Sequence, residues 1–119
     1  MAEKGYTVVA KGWGWEVVKW AALALNDTGT PYVGPFRPDK SVQVEGTFGA
    51  GGTVGIEGSN MDATETYRTL NDPQGNTLAV TTAKIEQLLE NPLKIRPNVT
   101  AGDGTTSLNV YLLATKLGG

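Results

Sequence analysis

Val54-Gly-Ile-Glu-Gly-Ser-Asn60, Tyr67-Arg-Thr-Leu70, Asp72-Pro-Gln-Gly75, Ile95-Arg-Pro97 and Leu108-Asn-Val-Tyr-Leu-Leu113 follow one another through the second half of the chain. Each apolar piece alternates with a period of two, the spacing that places successive side chains on opposite faces of a strand. Turn formers separate the pieces. Proline and glycine at the second and fourth places of Asp72-Pro-Gln-Gly75 are those that a type I turn favours, so Thr66–Leu70 and Thr77–Val80 read as a hairpin. In the last strand Leu108, Val110 and Leu112 face one way, and Asn109, Tyr111 and Leu113 the other.

The same period extends upstream. Val42, Val44, Gly46 and Phe48 share a face opposite Gln43, Glu45 and Thr47. After Gly49-Ala-Gly-Gly52 the alternation resumes at Val54 and Ile56, which predicts a hairpin with a loose glycine loop. Trp13–Leu25 reads as a long strand, with Trp13, Trp15, Val17, Lys19, Ala21, Leu23 and Leu25 on one side and Val18, Trp20, Ala22 and Ala24 on the other. Both sides are apolar after Glu16, Lys19 excepted, so one side meets the core and the other needs a second cover. Thr82 caps a predicted short helix over Ala83–Leu89, stopped by Asn91-Pro92. Strands Lys94–Val99 and Thr106–Thr115 flank Gly102-Asp-Gly104. The expected fold is mainly β: a jelly-roll-like antiparallel sandwich with one short helix near 83–89. It forms a single domain over 1–119, with the segment Met1–Lys11 and the proline-rich loop Asn26–Pro38 as ordered extended arms.

Composition narrows the function. The 119 residues include 16 glycines and 6 prolines, a turn-rich content, and a formal charge of −2 that leaves no footprint for nucleic acid. Lysines and arginines are scattered, unlike a polybasic membrane anchor. The longest apolar run, Ala21 to Leu25, is too short to span a bilayer, and Met1 to Lys11 lacks a signal-peptide core. The reading is of a chain used without export. Cysteine and histidine are both absent, which removes thiolate chemistry and the commonest neutral-pH base and metal ligand. No enzyme, catalytic residue, cofactor or metal is expected.

Several motifs have a bland explanation. The glycines from Gly46 to Gly58 lack the spacing and the Gly-Lys-Ser/Thr of a phosphate loop. Asp27, Asp62, Asp72 and Asp103 sit in turns without calcium-loop spacing. Glu45 and Glu57 would share the polar face of one hairpin, as a glycosidase pair does, although solvated face residues explain them better. The aromatics are open to three readings: Trp13, Trp15 and Trp20 pack in the core, anchor a protein partner, or join Tyr6 in a sugar-stacking platform.

The run Ile56-Glu-Gly-Ser-Asn-Met-Asp62, with Tyr67-Arg-Thr-Leu70, Asp72-Pro-Gln-Gly75, Ile95-Arg-Pro97 and Gly104-Thr-Thr-Ser-Leu-Asn-Val110, resembles tailed-bacteriophage head decoration, or cement, proteins. The likeness covers about Val42 to Lys116, and more weakly the Trp-containing N-terminal strand. It implies a jelly roll on the outside of the phage head that bridges major capsid protein subunits, in a virion assembled in the host cytoplasm. Trp13, Trp15, Trp20, Tyr32 and Phe36 are the expected partner interface, and a homo-oligomer, most simply a dimer, would cover the free side of the Trp strand. The pattern is also similar to discoidin-type sugar-binding jelly rolls, but Met61 and Ala63 replace residues of their usual turn.

Overall fold

The computed structural model describes residues 2–116 as two stacked sheets. Twelve strands run in order: β1 (Glu3–Lys4), β2 (Tyr6–Gly12), β3 (Trp15–Leu23), β4 (Thr28–Gly29), β5 (Tyr32–Val33), β6 (Asp39–Thr47), β7 (Thr53–Ser59), β8 (Arg68–Thr69), β9 (Ala79–Val80), β10 (Lys84–Gln87), β11 (Lys94–Ala101) and β12 (Ser107–Thr115). One sheet has five strands in the order β10-β6-β12-β3-β2. The other has seven, in the order β1-β4-β11-β7-β8, with β5 also on β11 and β9 also on β7. Between them lie Val18, Trp20, Leu23, Val42, Val44, Val54, Ile56, Ile95, Val99, Leu108, Val110 and Leu112, all at most 2 % exposed. The alternation read from β6, β7 and β12 therefore describes the core correctly.

Pairing departs from it in two places where the chain changes layer. β6 and β7 do not form a hairpin, and neither do β11 and β12. Each pair is split between the sheets, because the chain crosses from one layer to the other at Phe48–Gly52 and again at 102–106. The two crossings are laced together: Ala50 N–H donates to Asp103 Oδ2 (2.9 Å) and Thr106 Oγ1 to the Phe48 carbonyl (2.7 Å). Gly49 and Gly51 take φ of 73° and 69°, which side-chain-bearing residues rarely adopt.

The helix expected over 83–89 is not present. Lys84–Gln87 pairs antiparallel with Ser41–Val44 along the open edge of β6. An isolated two-turn helix is marginal in water, whereas this edge offers ladder hydrogen bonds and a cover. The turn at Asp72-Pro-Gln-Gly75 does form, with Gly75 N–H donating to the Asp72 carbonyl (3.0 Å) and an Asn71–Thr77 bridge, but the strands expected to pair across it, β8 and β9, both pair with β7 instead.

The two expected arms are not free either. Within Met1–Lys11, Met1 lies outside the described residues; β1 pairs in parallel with β4, and β2 forms the outer strand of the five-stranded sheet. Within the 26–38 loop, β4 and β5 both pair with β11. Val33 and Phe36 stay exposed.

Side-chain parity in β3 is changed by a bulge. Trp20 opposes Val110 and Leu23 opposes Leu108, so three steps on β3 match two on β12. Ala22 absorbs the extra residue at φ 55°, with its N–H donating to Asn109 Oδ1 (3.0 Å). Leu23, expected opposite Trp20, thus joins it in the core.

One charged side chain also points inward. Lys40, 2 % exposed, donates to Asn91 Oδ1, and burial lowers its ammonium from 10.5 to about 8.

Candidate functional site

The five aromatics expected at a partner surface divide into two groups. Trp20 and Tyr32 are core residues, 1 % and 3 % exposed, and cannot serve as surface anchors. Tyr6 packs edge-on against both, with ring centroids at 5.5 and 5.8 Å. Trp20 Nε1 donates to the Thr30 carbonyl (3.0 Å), and its ring lies so close over Gly29 that a Cβ there would meet Trp20 Cδ1 at 2.4 Å. That contact joins the two sheets, and it corrects the reading of Trp20 as an interface residue. The sugar-stacking platform of Trp13, Trp15, Trp20 and Tyr6 is not assembled, because half of its members are in this edge-to-face core cluster.

Trp13, Phe36 and Trp15 are different, at 81 %, 61 % and 38 % exposure. Trp13 and Gly14, the latter at φ 79°, make the β2–β3 turn, held by Lys116 N–H donating to the Gly14 carbonyl (2.8 Å). Trp15 lies across Gly12, its partner on β2, and covers that glycine. Phe36 sits on a turn closed by Arg37 N–H to the Gly34 carbonyl (3.1 Å). The Arg37 guanidinium stacks on the Phe36 ring, 4.5 Å from its centroid, and pairs with Glu16 at 3.5 Å. Glu16 also accepts from Tyr32 Oη (2.7 Å). Burial, then the Glu16 carboxylate, pushes the Tyr32 phenol up to about 12, so it remains a donor. Asn91 Nδ2 donates to the Pro35 carbonyl (3.0 Å). These ties set the Phe36 turn beside the start of β3, and three exposed aromatics gather at one end of the sandwich.

The other residues singled out from the sequence are occupied locally. Glu45 and Glu57 lie on opposite outer faces of the sandwich, Glu45 accepting from Gln43 (3.0 Å) and Glu57 from Arg96 (3.1 Å) and Asn98 (3.0 Å). They do not face a common cleft. Asp27 accepts from Ala24 N–H (2.8 Å) and Ala2 N–H (3.1 Å) and pairs with Lys4 (3.2 Å). Asp72 accepts from Gln74 and Asn76 N–H, both at 2.9 Å. Among the described residues, no three His, Cys, Asp or Glu side chains converge as metal ligands would.

Asp103 accepts from Thr105 Oγ1 (2.6 Å) and from the N–H groups of Thr105 (2.8 Å) and Ala50 (2.9 Å), which lower its carboxyl from 3.8 to about 2. A carboxyl depressed in the folded state stabilises above its unfolded value and loses that contribution as pH falls toward its folded value. Thermal midpoints are therefore expected to fall as pH drops from 3.8 to about 2. Asp103→Asn should flatten that slope; an unchanged slope would remove the crossing-loop carboxylate from the account.

Two features were not legible beforehand. A groove of about 580 Å3 opens between the end of β7 and the 90–92 loop, lined by Asn60, Met61, Arg68, Glu90 and Pro92 among others. The outer face of the five-stranded sheet forms a shallow apolar depression of about 240 Å3 between Val17, Ile85, Tyr111 and Leu113. The alternation of Val17, Tyr111 and Leu113 announced part of it, but the helix expected at 83–89 concealed Ile85.

No protein-family model matches the chain, and no curated protein matches it. Among solved structures, a cupin domain from Bordetella pertussis Tohama I is similar over 98% of both chains, with a TM-score of 0.53 at 14% identity. That likeness shows a jelly-roll-like fold and no more.

Proposed function

We propose that this chain is a non-enzymatic decoration, or cement, protein of a tailed-bacteriophage head, carried on the outer surface of the virion. The observation that carries the reading is the exposure of Trp13 and Phe36 on turns braced by their own hydrogen bonds and ion pair. Rigid exposed aromatics cost little ordering entropy when a partner covers them, and Trp and Tyr are the residues that anchor protein interfaces. The partner class, the major capsid protein, comes from the resemblance of the sequence pattern to decoration proteins alone. Repetition of a modest contact over a shell gives avidity, and binding only the assembled shell stabilises it by mass action.

The test is to add purified protein to heads that lack it and image them. Density on the outer shell, together with a raised temperature of head disruption, is the expected result. Bare heads at saturating protein would defeat the reading. A carbohydrate-binding jelly roll is the second reading, favoured by the groove beside Asn60 and Arg68, whose size and mixed apolar and polar lining suit a small ligand. Saturable binding on a glycan array without affinity for heads would select it instead.

A further inference from the structure

We infer that the outer face of the five-stranded sheet is a self-association surface, covered by the same face of a second copy about a two-fold axis parallel to β12. The two outer faces differ in kind. That of the seven-stranded sheet is polar, with Arg96 bound to Glu57 (3.1 Å) and stacked on Tyr67 at 3.8 Å. That of the five-stranded sheet carries Val17, Tyr111, Leu113 and Ile85, the last 62 % exposed. Its middle strand is β12, so the apolar side chains lie at the centre of the face. Polar groups flank them: Lys19 opposite Tyr111 on β3, and Gln43 and Glu45 on β6.

Charge and register identify the occupant. An axis along β12 sets β12 against its own copy and β3 of each chain against β6 of the other. Tyr111 and Leu113 then meet their counterparts. Lys19, which pairs in register with Tyr111 and through it with Gln43, arrives opposite Gln43 of the second copy, one pleat from Glu45. The same operation places Ile85, in register with Gln43, against the β2 edge at Thr7 and Ala10. Lys19 of each copy is thus brought beside Glu45 of the other in both directions, as a self-complementary interface requires, while Asp39 lies at the far end of β6 in register with Thr115. Strands stay aligned across the contact, a preferred geometry for stacked sheets. Five strands of four to nine residues, spaced about 4.8 Å apart with a rise of about 3.3 Å per residue, offer roughly 600 Å2 per copy. The total of about 1,200 Å2 reaches the lower end of the range of stable specific interfaces. This inference does not depend on head binding; a dimer would give each unit two aromatic ends, which suits a bridging role.

Sedimentation equilibrium of the isolated full chain at micromolar concentration is expected to give twice the chain mass. Leu113→Arg is expected to give monomer with an unchanged far-UV spectrum. Lys19→Glu and Glu45→Lys should each weaken association at least tenfold, and the double exchange in one chain should restore it, a readout that a general loss of folding would not produce. A monomeric wild type overturns the inference, including the case in which Leu113→Arg impairs head binding and the face belongs to the capsid. A dimer insensitive to both Leu113→Arg and the charge exchange overturns it equally.

Discussion

Trp20→Ala is expected to lower the unfolding free energy by about 3–5 kcal/mol, the usual cost of removing a large buried aromatic. Trp20 is 1 % exposed and touches Tyr6 on its own sheet and Gly29 on the other, so the cavity would open between the layers. Its Nε1–H is also a donor to the Thr30 carbonyl, which would lose that partner. Against a total stability of about 5–15 kcal/mol, this is a large fraction. The thermal midpoint should fall by on the order of 15 °C. Trp20→Phe separates the two contributions, because a ring remains while the hydrogen bond is lost, and should cost about half as much. Calorimetry of the three proteins decides the matter. An Ala variant melting with the wild type would show that the layers are held together elsewhere.

The second large effect concerns binding rather than folding. Trp13→Ser combined with Phe36→Ser is expected to leave the melting temperature nearly unchanged, since substitutions at exposed positions usually stay within about 0.5 kcal/mol. The same variant should bind heads at least about 30-fold more weakly, the equivalent of losing one interfacial anchor of about 2 kcal/mol. Arg37 would lose its stacking partner but keep Glu16, so the turn should survive. Head binding is read by co-sedimentation at several concentrations, because multiple attachment masks losses at saturation. Equal binding by the variant and the wild type would relocate the contact away from this end.

Of the five aromatics expected at a partner surface, exposure was legible for those on turns and misjudged for Trp20 and Tyr32. Trp13 and Phe36 adjoin glycine and proline, which place them outside the ladders where side chains meet water. Tyr32 has Pro31 and Gly34 beside it yet is buried, and Trp20, among the apolar residues of β3, faces the core. The bulge at Ala22 has no clear sequence signature: it puts a non-glycine residue at φ 55°, a conformation sustained by pairing with Asn109. The outer face of the five-stranded sheet was half visible, since Tyr111 and Leu113 alternate with core residues, while Ile85 reached it only through pairing with β6.

Local chain stereochemistry accounts for the β character, the inward sets Val42/Val44, Val54/Ile56 and Leu108/Val110/Leu112, and the Asp72–Gly75 turn. These depend on period two and on φ preferences, which neighbouring residues alone impose. Partner choice between strands followed other physics. A four-residue segment such as Lys84–Gln87 has no decisive preference of its own, and the unpaired edge of β6 made it a strand. The crossings at Phe48–Gly52 and 102–106 separated strands that are neighbours in sequence, because lacing the two loops together and burying both apolar faces outweighed a local hairpin. Ladder hydrogen bonds and layer packing act between residues far apart along the chain, so no window of sequence contains them.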